Sequence, residues 1–192
     1  MEPGTHRVQV DGEVVELESF VYLLMNKPAD VVCTNDDPQG RTTYLDLLPD
    51  FEERVFPVGR LDRDSEGLLL ITNDGGLANR LMHPRYEVEK VYLATLERGL
   101  SADEMDQLKQ GLRSDGDVLR VDSVEARPSD DYPSYEIRVH EGKNRHIRRM
   151  FEVLEVGVRR LKRIRFGPLT VKGIAKGMFR ALTDEELKSL DL

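Results

Sequence analysis

An α+β fold is predicted for this chain, from three observations. Helical and strand-like segments follow one another without strict strand–helix–strand order. Residues 89–96 alternate with the two-residue period of a strand: Val91, Leu93 and Thr95 fall on one face, Lys90, Tyr92 and Ala94 on the other. Two capping boxes, Ser101 with Glu104 and Thr183 with Glu186, open separate helices.

Taken in order, residues 6–17 form a small hairpin turned at Asp11-Gly12. A buried strand at 21–25 leads to Asn26-Lys27-Pro28, where proline stops the ladder. A loop centres on Asp36-Asp37-Pro38-Gln39-Gly40. After a second loop at 59–67 come a strand at 68–72 and a turn at Asn73-Asp74-Gly75-Gly76. A short helix from Leu77 to Met82 ends before Pro84. The helix opened by Ser101 stops at Gly111, and strands are expected at 118–125 and 135–139. A helix from about Asn144 carries Ile147, Met150, Phe151 and Leu154 at i, i+3, i+4 and i+7, with Gly157 ending it. Residues 159–165 interleave apolar and basic residues at strand-like spacing.

At 192 residues the chain suits one domain with a real core. Hydrophobic content of 39% beside 33% charged residues reads as soluble and globular, and no apolar run approaches the roughly 20 residues of a bilayer span. The N-terminus lacks the basic start and apolar stretch of a secretory signal. A single cysteine, Cys33, excludes an internal disulfide and a thiolate metal cluster, so cytoplasmic residence is expected.

The formal charge is −8, unpromising for a nucleic-acid partner until its distribution is considered. Residues 141–165 hold nine Lys or Arg against three Glu, leaving 19 basic and 33 acidic residues elsewhere. A basic stripe on an acidic body is the footprint of phosphate contact at one surface.

The most specific segment is Gly59-Arg60-Leu61-Asp62-Arg63-Asp64-Ser65-Glu66-Gly67, running into Leu68-Leu69-Leu70-Ile71-Thr72-Asn73. It sets Asp62 on a glycine-bracketed loop before an apolar strand, with flanking arginines that favour an ionised carboxylate. Two further segments follow in order: Glu89-Lys90-Val91-Tyr92, and Glu141-Gly142-Lys143-Asn144-Arg145-His146-Ile147-Arg148-Arg149-Met150. Together these motifs resemble those of pseudouridine synthases acting on ribosomal RNA, over a stretch from about Phe20 to the C-terminus.

That resemblance implies a catalytic domain over residues 18–192 with a mixed, largely antiparallel sheet, flanking helices and a central cleft. Asp62 should stand in the cleft with the 141–165 region along one wall. Residues 1–17 would be the closing hairpin of an S4-like RNA-binding domain, its helices missing by truncation or by nature, or a linker hairpin. The implied reaction is isomerisation of a uridine in ribosomal RNA, by glycosidic cleavage, base rotation and re-attachment through C5. No metal or cofactor is implied, and the partner would be ribosomal RNA bound by a monomer.

By the same resemblance Asp62 is the nucleophile, attacking either the sugar or the uracil ring. Tyr92 stacks on the target base and is a candidate for removing the C5 proton, and Arg148 pairs with the catalytic aspartate. Helical geometry puts Arg148 about 100° from Ile147, at the border of the apolar stripe, with Arg145 and Arg149 pointing more toward solvent. Arg60 would occupy the place vacated by the flipped base. The remaining RNA-contacting set is expected to be Lys90, Lys143, Arg145, Arg149, Arg159, Arg160, Lys162 and Arg163. Segments 34–41 and 77–84 resemble the large-subunit enzymes more than the small-subunit ones.

Three other readings compete. Asp62, Asp64, Glu66 and Gly67 match the start of an EF-hand loop, but its twelfth position is Asn73 rather than a bidentate Glu, and a strand follows where a helix should begin. Asp62 and Asp64 sit too close in one loop to flank a sugar ring as a glycosidase pair. A non-catalytic RNA-binding protein retaining the synthase fold is the remaining alternative.

Overall fold

A computed structural model describes residues 18–190 and, ahead of them, the paired strands β1 (Gln9–Val10) and β2 (Glu13–Val14). These two run antiparallel with Gln9 opposite Val14, the pairing a hairpin requires. Its expected Asp11-Gly12 turn lies outside the described residues.

Nine strands make the main sheet: β3 (Tyr22–Lys27), β4 (Phe56–Val58), β5 (Glu66–Thr72), β6 (Lys90–Leu96), β9 (Ser123–Arg127), β10 (Ser134–Val139), β11 (Val158–Phe166), β12 (Leu169–Thr170) and β13 (Phe179–Ala181). Their order is β13-β3-β5-β11-β6-β10-β9, with β12 beside β11 and β4 beside β5. Every pairing is antiparallel except β11 on β5, so the mixed, largely antiparallel sheet is as expected. Helices α1 (Gly75–Met82), α2 (Ala102–Gln110), α3 (His146–Val153) and α4 (Asp184–Ser189) flank it. Both capping boxes form, at Ser101 and Thr183.

Four elements depart from the sequence expectation, each for a local reason. The strand placed at 118–125 is two strands, because Asp115-Gly116 turns a small separate hairpin of β7 (Leu112–Ser114) with β8 (Asp117–Leu119). Both turn residues have positive φ, 47° and 81°, as this hairpin turn demands. Helix α1 starts at Gly75, inside the expected turn, because the Asp74 carboxylate accepts the Leu77 N–H at 2.9 Å. Helix α3 stops at Val153, and Glu155 (φ 55°) takes the left-handed conformation expected of Gly157. Gly157 serves close approach instead, since a Cβ there would fall 2.3 Å from the Glu97 carboxylate. Finally β5 begins at Glu66, so the motif loop is shorter than it reads.

One feature of the sheet positions the site. Strand β5 has β3 along one edge, but its other edge is shared: β11 pairs with Glu66 and Gly67, whereas β4 pairs with Leu70, Ile71 and Thr72. The sheet therefore forks at Leu68–Leu69. Arg163 closes the fork, its Nε donating to the Leu68 carbonyl at 2.8 Å. The loop of residues 59–65, which joins β4 to β5, springs from this fork.

Candidate active site

The loop is fixed from three sides. Beneath it Leu61 is buried with Val31, Tyr44, Leu69 and Ile71. On the β3 side, the Arg63 carbonyl accepts the Asp30 N–H at 2.8 Å. Lys27, fully buried, adds bonds to the carbonyls of Pro28 (2.8 Å) and Val31 (2.7 Å), holding the 28–31 turn against the loop. Burial pushes the Lys27 pKa down, opposed by Cys33 and by the carboxylates of Asp64, Glu66 and Asp62. On the α3 side, Arg148 Nη2 donates to the Asp64 carbonyl at 2.8 Å. Within the loop the Ser65 N–H donates to the Asp62 carbonyl at 3.0 Å, a tight turn that sets Asp62 at its head.

Above the loop opens a cavity of ≈ 1000 Å³. Asp62, Tyr92, Arg60, Lys90, Lys143, Arg145 and Arg163 all line it, so seven of the residues singled out by sequence share one wall system. Tyr92 packs against both the cluster under α3 and the cluster under the loop, and so stands where the two meet. Asp62 is half-buried and, among the described residues, forms no ion pair within 4.0 Å. Of its neighbours, Arg63 turns away to Asp30, 3.7 Å off.

Arg148 is buried behind the loop, and its carboxylate partner differs from expectation. Its Nε lies 3.2 Å from the Asp64 carboxylate, two residues beyond Asp62. Burial pushes the Arg148 pKa below the usual arginine range, with Asp64 and, less strongly, Asp62 opposing the shift. Arg145 takes the neighbouring outer position, 3.4 Å from Asp64 and 3.2 Å from Glu152. Asp64 thus gathers two guanidiniums and leaves the Asp62 carboxylate free of direct pairing.

The rest of the basic stripe is dispersed by strand register. In β11, Arg163 is opposite Tyr92 and Leu161 opposite Ala94, whereas Lys162 is opposite Leu93 and Arg160 opposite Thr95. Directly paired residues share a face, so Arg163 faces the cavity while Arg160 and Lys162 point to the other side of the sheet. There Arg160 pairs with Glu66 at 2.7 Å and Lys176 pairs with the same carboxylate at 2.8 Å. Burial acts against it, yet these two cations hold the Glu66 carboxyl below its usual range. Arg159, displaced by a bulge, lies over the Tyr132 ring at 3.9 Å. Arg149 is not the solvent-facing side chain expected. It is buried against the β7–β8 hairpin, donating to Ser114 Oγ at 3.2 Å and Asp117 at 3.0 Å.

Four contributors escape a reading of the sequence. Lys27 reads only as the end of a strand, although Asn-Lys-Pro after an apolar run is the available signal. Asp64 is overshadowed by Asp62 two residues away. Arg120 and Phe166 line the cavity but carry no local pattern that marks them.

A half-buried carboxylate and a phenol thus share a cleft with the cations Arg60, Lys90, Lys143 and Arg145, an arrangement suited to an anionic polymer. The comparisons agree. The family model described as RNA pseudouridylate synthase matches residues 21–153. An uncharacterized RNA pseudouridine synthase of Aquifex aeolicus is 38% identical over 190 residues, covering 98% of this chain and 76% of that one. Ribosomal large subunit pseudouridine synthase B of Bacillus subtilis is 36% identical over 190 residues, covering 97% and 78%. A crystal structure of a pseudouridylate synthase superposes with a TM-score of 0.79 at 30% identity, covering 91% of this chain and 75% of that one. The chain belongs to the RNA pseudouridylate synthase family, isomerases that convert uridine in RNA to pseudouridine.

Among the described residues no helix is long and apolar enough to cross a membrane, and no group of three or more His, Cys, Asp or Glu is placed to hold a metal ion.

Proposed function

We propose that this chain isomerises a specific uridine of ribosomal RNA, the large-subunit RNA in preference to the small, with Asp62 as the catalytic carboxylate. The observation that carries the reading is the joint presence of Asp62 and Tyr92 on the wall of one nucleotide-sized cavity, with Arg148 clamping the loop behind. The large-subunit preference is supported by segments 34–41 and 77–84 and by the name of the Bacillus subtilis relative.

In this reading the target uridine leaves its stack and enters the cavity, where its base lies against the Tyr92 ring. Base–aromatic stacking of this kind is worth about 1–3 kcal/mol, enough to offset much of the few kcal/mol that extrusion costs. The Asp62 carboxylate assists rupture of the N1–C1′ bond. The freed uracil rotates and C5 bonds to C1′; the Tyr92 oxygen accepts the C5 proton as the phenol's own proton passes through solvent to N1. Atoms and charge balance without oxidant or hydrolysis. Arg60, Lys143 and Arg145 at the rim meet the flanking backbone.

The test is single-turnover tritium release from ribosomal RNA labelled at uracil C5. The parent protein releases tritium, and Asp62→Asn binds RNA but releases none. Parent-like release by that variant overturns the catalytic assignment; binding without release by the parent would favour a non-catalytic RNA-binding protein.

A further inference from the structure

Two cations on the cavity wall, Lys90 and Arg163, have no paired carboxylate among the described residues. Arg163 is 2% exposed. Its Nε is committed to the Leu68 carbonyl at the sheet fork, and its Nη2 is buried with no hydrogen-bond partner. Lys90 faces the same cavity from β6, its Nζ bonded only to the carbonyls of Val88 (3.2 Å) and His140 (3.0 Å). Among the described residues neither cation lies within 4.0 Å of a carboxylate oxygen. Both lean on one ring: Lys90 Nζ is 5.7 Å and Arg163 Cζ 5.0 Å from the Phe166 centroid.

Two desolvated like charges that share a ring and have no anion between them are costly, because buried charges are normally paired. Arg148 and Arg149 each have a carboxylate, and the fully buried Lys27 instead has its ammonium bonded to the carbonyls of Pro28 and Val31. A third donor adjoins the pair. The Gly59 N–H, on the cavity wall beside Arg163, is occupied only by the weak thioether acceptor of Met82 at 3.0 Å.

We propose that Lys90, Arg163 and the Gly59 amide form a subsite for one backbone phosphate adjoining the target uridine. The proposal rests on the RNA-isomerase reading above and deepens it. Seating a phosphate there neutralises the two cations and pins the nucleotide on the Tyr92 side of the cavity. Phe166 gives the anion a dry floor, which strengthens both charge contacts. A substrate nucleotide is then gripped at base and phosphate independently, so its sugar presents C1′ to Asp62.

The experiment is a chemical double-mutant cycle. Once the modified uridine has been mapped with parent protein, synthetic stem-loops around it carry a neutral methylphosphonate at one flanking linkage at a time. Parent protein should lose roughly 10- to 100-fold in affinity at one particular linkage. Lys90→Gln should lose a comparable factor on unmodified RNA yet little more on that neutralised RNA, and Lys90→Arg should restore the parent pattern. Losses that multiply fully at every linkage overturn the subsite while leaving the functional reading intact. A parent protein that modifies no ribosomal RNA defeats the functional reading, and this inference with it.

Discussion

Arg148 reaches Asp64 rather than Asp62: its Nη2 donates to the Asp64 carbonyl at 2.8 Å and its Nε lies 3.2 Å from the Asp64 carboxylate. The arginine therefore clamps the loop two residues beyond the catalytic candidate. Asp64→Asn should retain the carbonyl bond but weaken the charge contact, lowering kcat by about 10- to 100-fold with KM little changed, since small misplacement of reacting groups carries costs of that order. Asp62→Asn should eliminate turnover. Equal losses for the two variants in single-turnover assays would show that Asp64 does more than hold the loop.

Tyr92 combines a ring and a hydroxyl that substitutions can separate. Tyr92→Phe should keep RNA affinity but slow tritium release, whereas Tyr92→Ala should also weaken binding by about 1–3 kcal/mol as stacking is removed. Affinity unchanged in the alanine variant would remove the base from that ring.

The split of β11 between two faces makes a contrast measurable by salt dependence. Arg60→Gln and Arg145→Gln should each lower the slope of log K against log salt by about 0.7–0.9 for every phosphate no longer neutralised. Arg160→Gln, on the other side of the sheet and paired with Glu66, should leave the slope on a short stem-loop unchanged while lowering the melting temperature. A reduced slope for Arg160→Gln would place RNA on that side too.

Lys90 supplies a pH signature. Burial, reinforced by Arg163, brings its pKa down to about 8. Its charge in the free protein is thus full below pH 7 and fades above about 8, so RNA affinity should fall from pH 7 to 9 by more in the parent than in Lys90→Gln. The stability effect runs the other way. Between about pH 8 and the ordinary lysine value the unfolded chain binds more protons than the folded one, so this lysine's contribution to stability rises with pH. Parallel affinity profiles for the two proteins would show that Lys90 does not meet the RNA.

Gly67 tests the fork itself. At φ +105°, a Cβ would sit 2.2 Å from the Arg163 carbonyl oxygen. Gly67→Ala should therefore cost more than about 2 kcal/mol in chemical denaturation, through close approach and backbone strain together. A loss under about 1 kcal/mol would mean that β5 and β11 part more readily than their geometry indicates.

Local chemistry decided much of this molecule before any tertiary contact. Ser101 and Thr183 cap their helices because each has a glutamate three residues on. Ile147, Met150 and Phe151 bury one stripe of α3 because their spacing matches the helical turn. Asp62 and Tyr92 were legible because the motifs around them are contiguous. The Asp115-Gly116 turn is equally local, yet the expected strand at 118–125 begins beyond it and so misses the β7–β8 hairpin and the burial of Arg149.

What sequence could not apportion was the partnering of charges. Nine basic residues within 141–165 read as one stripe. Strand pairing then sent Arg163 into the cavity and Arg160 to Glu66, and helix packing sent Arg148 to Asp64 and Arg149 to Asp117. Side-chain periodicity is a property of the chain, but which carboxylate waits opposite each cation depends on segments up to 94 residues away in sequence. The candidates Asp62 and Tyr92 were thus marked by contiguous residues, and their geometry and electrostatic environment were decided only by the assembled sheet.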